Sequence, residues 1–363
     1  MTVAPNEVPK VSKQKLKSIV RDEEKTARAA NLVYVTDKEP GIERRKKGDK
    51  FEYFFKDKKI KDDEELLRIK HLVIPPAWTK VWICKKENGH LQVTGYDVKN
   101  RKQYKYHHHW NSLRNHTKYY RLIDFGNALP SIRLQLEKDL KLPGLPLKKV
   151  LAAVVSLMER TSIRVGNSYY EKEYGSFGLT TLKDKHVKLN GNSVEFAFVG
   201  KKGVSHKISL KNKKLADIVK KCRDVPGKEL FQFYDEAGGR HSIDSGLVNS
   251  YIREISSADF TAKDFRTWAG TVQAFLALKS IGCCDTQAET KRRIVEALDI
   301  VSEQLGNTRT VCKKYYVHPQ ILSLYENKKL EKYIAELDNI EKNGKKHELT
   351  PEEKVVMKIL ETN

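Results

Sequence analysis

HVKLNGNSVEFAFVGKKGVSHKISL, residues 186–210, carries a period-two pattern inside a region that otherwise reads as helix. Val194, Phe196 and Phe198 fall on every second position, as on a half-buried strand. Asn190-Gly191 is a strong short hairpin signal, and the KKG run makes a second tight turn before VSHKISL. The segment therefore predicts three short antiparallel strands. Outward from it the period changes to that of helices. Pro146 opens LKKVLAAVVSLMERTSIRV, which Gly166 is expected to close. Residues 111–141 read as helix interrupted at Pro130. Further helices are expected at 244–257, 262–281 and 286–305. The tail is charged helix, with Thr350 and Glu353 around Pro351 resembling a capping box.

The first hundred residues have a different texture. FEYFF (51–55) is a strand candidate. WTKVWIC (78–84) and HLQVTGY (90–96) flank Asn88-Gly89, a hairpin signal, and KQYKYHHHW (102–110) alternates basic and aromatic residues. Pro75-Pro76 blocks a helix there, and only residues 11–31 read as a charged helix. The expected fold class is α+β. A small β-rich N-terminal domain spans 1–110, and a mainly helical domain with a small antiparallel sheet spans 111–363, ending in a helical tail from about 320.

The chain has 363 residues, with 69 Lys and Arg against 47 Asp and Glu, a net charge of +22. Such an excess speaks of a polyanionic partner, above all nucleic acid. It is spread along the chain, which favours a folded protein wrapping its ligand. The longest apolar run, VLAAVVSLM (150–158), falls well short of the ~20 residues of a membrane span, so no membrane partner is expected. MTVAPNEVPK has no apolar signal core. Five scattered cysteines without a CxxC pair suggest a reducing compartment and no zinc site. A cytoplasmic protein is expected, nucleoid-associated if bacterial.

Several chemistries have no motif here. There is no GxxxxGK[ST] for a nucleotide cofactor and no HExxH or paired-cysteine spacing for a metal. His107, His108 and His109 on a strand would point to alternate faces and could not converge on one ion. The basic residues beside structural punctuation are more informative. Arg164 lies near the expected end of the helix after Pro146, with Arg160 four residues earlier on the same side. Lys201 and Lys202 occupy the tight turn. Thr261 and Asp264 read as a capping box that places Arg266 in a first helical turn, where free N–H groups already favour an anion. Asn307 follows Gly306 at a helix end, and Tyr316 comes nine residues later.

Taken together and in order, these residues resemble the type IB DNA topoisomerases, in the short form of poxviruses and bacteria. The segments carrying the resemblance are GYDVKNRKQYKYHHHW (95–110), RTSIRVGNSYYEKEYGSFGLTTLKDKHV (160–187), FVGKKGVSHKISL (198–210), KDFRTWAGT (263–271) and LGNTRTVCKKYYVHP (305–319). The resemblance implies an active site of Arg164, Lys201, Arg266, Asn307 and the nucleophile Tyr316. Tyr316 is preferred to Tyr315 by its spacing from Asn307, and Lys201 to Lys202 because it follows Gly200 directly. Asn307 stands where viral members have His and keeps a hydrogen-bond donor. The implied reaction relaxes supercoils of both signs through a 3′-phosphotyrosine, with no ATP, no metal and no cofactor. The implied partner is duplex DNA, bound by a monomer whose N-terminal domain docks as half of a clamp. Arg101, Gln103, Tyr104 and Tyr106 would lie near the major groove, with Asn167 and Tyr170 on the backbone. A tyrosine recombinase is the neighbouring alternative, but KDFR puts Lys263 where recombinases carry the His of HxxR. A non-catalytic basic DNA-binding protein is the other.

Overall fold

A computed structural model describes residues 22–48, 50–98, 100, 102–340 and 345–362, with backbone only at 112 and 114–120. The chain divides into two compact units, one ending at Arg121 and the other beginning at Leu122.

The first unit opens with α1 (Glu23–Ala29), capped by the Asp22 carboxylate on Lys25 N. It continues through β1 (Ile42–Lys47), β2 (Lys50–Phe55), β3 (Lys58–Lys59), α2 (Asp63–His71), β4 (Thr79–Ile83), β5 (Leu91–Tyr96) and β6 (Lys102–Tyr106). The strands form one antiparallel sheet in the order β3-β2-β1-β4-β5-β6. Ile42, Val81, Ile83 and Val93 bury against Ile69 of α2. β1 has no sequence signal: IERRKK offers one apolar side chain, Ile42, and the strand is held by its ladder to β2. β4 and β5 pair as expected, but residues 84–90 join them, because Gly89 is drawn into a bridge with Val33.

α3 (His108–Asp139) follows, 32 residues long, and Pro130 lies inside it. The expected interruption does not occur. A helix-interior proline costs about 3 kcal/mol. Leu122, Phe125, Leu129, Ile132 and Leu136 are all buried on one stripe of the same helix. Each contributes about 1.5–3 kcal/mol by burial, so packing prevails.

In the second unit α4 (Leu147–Thr161) is the central helix, with every residue from Lys149 to Met158 buried. It ends at Ser162, which is left-handed with φ of 56°, and so does not run to Gly166. Arg164 is therefore in the non-helical segment between α4 and the next helix, and its expected helical pairing with Arg160 is absent. Then come α5 (Ser168–Tyr174), β7 (Val187–Asn190), β8 (Ser193–Val199), β9 (Ser205–Lys211), α6 (Lys213–Arg223), β10 (Gln232–Tyr234) and β11 (Arg240–Ser242). β7-β8-β9 is the antiparallel sheet read from 186–210, and β10-β11 is a separate pair that the sequence did not signal. The unit closes with α7 (Ser245–Ser256), α8 (Ala262–Ile281), α9 (Gln287–Leu305), α10 (Arg309–Tyr315), α11 (Pro319–Glu326), α12 (Glu331–Asp338) and α13 (Pro351–Glu361). The capping box at Thr350 and Glu353 is present. Glu353 does more than cap. Its carboxylate takes Arg133 of α3 at 2.8 and 2.9 Å and Trp268 Nε1 of α8 at 2.9 Å, while Arg133 also reaches Glu159 of α4 at 2.7 Å. Among the described residues no helix is long and apolar enough to cross a membrane.

Candidate active site

Two arginines organise the site. The capping box of Thr261 and Asp264 is present, and Arg266, the fifth residue of α8, lies just past the first turn where it was expected and is 5% exposed. From there its guanidinium crosses to the chain leaving α4 and to the end of α9, donating to Ser162 O and, at 2.8 Å, to Leu305 O. Arg164, in the non-helical segment after α4, donates to Gly306 O at 3.0 Å and to Asn307 Oδ1 at 2.6 Å. Among the described residues neither arginine has a carboxylate partner. Burial and the charge of Arg266 push the Arg164 pKa down to about 10. Two cations, Arg266 buried and Arg164 half-buried, face neutral acceptors, an arrangement that favours an anionic ligand.

Asn307 and Tyr316 complete the group. Gly306 ends α9 with φ of 56°, and this left-handed residue turns Asn307 toward Arg164. With Asn307 Oδ1 engaged, its buried Nδ2 has no hydrogen-bond partner among the described residues, and neither has the buried Nε of Arg266. Both are donors. Tyr316 follows α10, and its ring centroid lies 5.2 Å from the Arg266 guanidinium carbon. Thr271 of α8 holds the Tyr316 backbone, donating to Tyr316 O at 3.2 Å and accepting His318 N at 3.2 Å. Gly270 permits that approach: a Cβ there would stand 2.8 Å from Tyr316 O. Tyr315 points outward and is exposed.

Lys201 sits at the exposed turn between β8 and β9, with Nζ 5.6 Å from the centroid of the Tyr170 ring. Lys202 takes the left-handed position of that turn, φ 64°. Asn167 is exposed and caps α5 by accepting Tyr169 N at 2.9 Å, and Tyr170 on the same helix is half-buried. One residue of this site escaped the sequence reading. His206 of β9 stacks on Phe198, with ring centroids 4.9 Å apart. Burial and then the charges of Arg164 and Arg266 lower its pKa. Its signal was its position in VSHK, on the same strand period as the core residues.

The profile of the eukaryotic DNA topoisomerase I catalytic core matches residues 104–343, and that of the bacterial DNA topoisomerase IB N-terminal domain matches residues 50–97. The chain belongs to the type IB DNA topoisomerase family. DNA topoisomerase 1B of Acanthamoeba polyphaga mimivirus is 32% identical over 295 residues, covering 79% of this chain and 88% of the relative. DNA topoisomerase 1B of Vaccinia virus (strain Copenhagen) is 26% identical over 296 residues, covering 76% and 90%. DNA topoisomerase 1 beta of Arabidopsis thaliana is 24% identical over 243 residues, covering 64% of this chain and 24% of the plant protein. The protein is thus an isomerase that changes DNA topology, with duplex DNA as its substrate. The recombinase and non-catalytic alternatives fall away.

In the first unit of this topoisomerase, β6 carries the residues expected at the groove. Arg101 lies outside the described residues. Tyr104 and Tyr106 share one face, with rings 6.1 Å apart, while Gln103 turns to the other face and donates to Asp97 at 3.0 Å. The histidine run needs a correction. β6 ends at Tyr106 and α3 starts at His108, so the three side chains leave a strand-to-helix corner and not a strand, and their ligand nitrogens lie within 4.8 Å of one another. The corner is still poorly suited to a cation. His107 Nδ1 is occupied, accepting His109 N–H at 3.2 Å, and the positive end of the helix dipole faces the rings. Burial and the neighbouring imidazoles push the His107 pKa down to about 4.

Proposed function

We propose that this topoisomerase relaxes positive and negative supercoils by transient cleavage of one strand, with Tyr316 as nucleophile. The Tyr316 hydroxyl gives its proton to solvent as its oxygen bonds to a phosphorus, the P–O5′ bond breaks, and a 3′-phosphotyrosine and a 5′-hydroxyl result. Religation reverses the step, so the phosphoester energy is conserved and neither ATP nor a metal is called on. The observation that carries this reading is the pair of guanidiniums, Arg266 buried and Arg164 half-buried, with no carboxylate partner among the described residues, beside the orphan donors Arg266 Nε and Asn307 Nδ2 and next to a tyrosine ring. A pentacoordinate phosphorus gathers charge on its non-bridging oxygens, and these donors are what such oxygens need. Arginine suits the task because its planar fork stays charged. Lys201, on its exposed turn, protonates the leaving 5′-oxygen, a step typically worth ~10²–10⁴ in rate. The exposed Tyr104 and the backbone-facing Asn167 and Tyr170 are the DNA contacts we assign with it. The enzyme acts as a monomer in the cytoplasm, in keeping with its five free cysteines.

Purified protein is expected to relax plasmid of either supercoil sign in EDTA without ATP. Tyr316→Phe is expected to bind duplex DNA yet form no covalent adduct. Relaxation that requires magnesium, or that survives Tyr316→Phe, contradicts the mechanism. A 5′-bridging phosphorothiolate, whose leaving group needs no proton, separates the two lysines: it restores cleavage to the variant of the true acid, Lys201→Ala and not Lys202→Ala.

A further inference from the structure

Of the oxyanion donors of this site, Arg266 is buried on α8 and Arg164 and Asn307 are half-buried on the segments that follow α4 and α9, while the proposed proton donor rides on an exposed turn. His206 lies between the two. In the β8–β9 ladder it pairs with Phe198, on whose ring it stacks at 4.9 Å and 19°. Its remaining edges meet two glycines. A Cβ at Gly200 would stand 2.7 Å from His206 Cδ2 and Nε2, and a Cβ at Gly306 would stand 2.8 Å from Nε2 and overlap Cε1. Gly200 has φ of −93°, a conformation open to any residue, so the ring rather than the backbone excludes a side chain there. Gly200 directly precedes Lys201, and Gly306 directly precedes Asn307. One ring therefore touches the root of the lysine turn and the root of the asparagine loop.

We propose that His206 is a positioning residue, a wedge that fixes the Lys201 turn against the Asn307 loop so that proton donor and oxyanion donors address one phosphate. The inference rests on the reading of Lys201 as the acid. Burial and the nearby guanidinium charges favour the neutral ring, so the wedge adds no third cation beside Arg164 and Arg266. Removal of the ring takes away the side chain that stands against both Gly200 and Gly306. Misplacement of a reacting group by about 1 Å costs on the order of 10²-fold in rate.

The test is single-turnover cleavage of duplex DNA carrying either an ordinary or a 5′-bridging phosphorothiolate linkage. His206→Ala is expected to slow the ordinary substrate by roughly 10–100-fold, to bind DNA as before, and to recover on the phosphorothiolate. His206→Phe, which refills the slot, is expected to keep most of the rate. Gly200→Ala, which displaces the ring without removing it, is expected to give the same selective defect as His206→Ala. Equal slowing on both substrates by His206→Ala and Gly200→Ala, while Lys201→Ala is rescued, overturns the wedge alone, as does an unimpaired His206→Ala. Failure of the phosphorothiolate to rescue Lys201→Ala overturns the assignment of the acid, and the wedge with it.

Discussion

Among the described residues Arg164 and Arg266 hydrogen-bond to carbonyl and amide oxygens and to no carboxylate, which favours an added anion. Any tetrahedral oxyanion that fits should therefore raise the melting temperature, since a ligand at 100 times its Kd adds about 2.7 kcal/mol of stability. Inorganic phosphate or vanadate is expected to do so for the wild-type protein, and thermal scanning of Arg164→Ala should show the increase gone. Gly270 gives a second prediction at this scale. Gly270→Ala pushes a methyl onto Tyr316 O and the Tyr316 Cβ. Overpacking of this kind costs about 1–3 kcal/mol, and cleavage should slow because the nucleophile's backbone moves. A variant with unchanged melting and unchanged cleavage would show that the contact relaxes freely. Arg164, Arg266, Asn307 and Tyr316 were singled out in the sequence by the family resemblance, and the fold brings them together, though their roles are those we propose. His206 was not. Its meaning comes from Gly306, a hundred positions away, and no local pattern reports such a contact.

At the scale of elements, the last helix is tied to the site. Glu353 of α13 bonds Trp268, two residues beyond Arg266 on α8, and Arg133 on α3. Burial pushes the Glu353 carboxyl up, but the Arg133 and Trp268 hydrogen bonds outweigh it, and the pKa is lowered in the folded protein. A depressed folded pKa gives stability that is present above the unfolded value of 4.5 and lost as pH falls through the folded value. Wild-type protein should therefore lose stability below about pH 4.5, and Glu353→Gln should flatten that acid limb in denaturant titrations. Glu353→Ala removes one of the two carboxylates on half-buried Arg133 and the Trp268 bond while Glu159 remains, so the loss is expected to stay below the cost of about 3–5 kcal/mol for an arginine left wholly unpaired in a buried site. The elements themselves were legible where period decides, as in β7-β8-β9 and α8. They were not where tertiary burial decides. Pro130 is carried by the buried stripe of α3, and β1 exists because β2 and β4 need a neighbour. The end of α4 at Ser162 likewise lacks the glycine that would have announced it.

For the whole molecule, the excess of +22 charges sets how binding responds to salt. A protein that neutralises 6–10 phosphates loses about 10³–10⁵ in affinity between 50 and 200 mM salt. Tyr316→Phe protein on a non-specific duplex should show a loss of that order, and a nearly flat salt response would mean that the basic residues do not track the backbone. The share of the charge that acts on the scissile phosphate is small: two guanidiniums and one ammonium in the proposed mechanism. One more consequence follows from α13, which lies beyond the matched catalytic core at 104–343 and yet buries Val355, Val356, Ile359 and Leu360 in the same core as α8. During synthesis, Tyr316 and both arginines leave the ribosome before the helix that braces them. A nascent chain ending short of residue 351 holds every proposed cutting residue but lacks the bracing of α8. A chain truncated before residue 351 is therefore expected to melt lower and to cleave duplex DNA more slowly than the full protein.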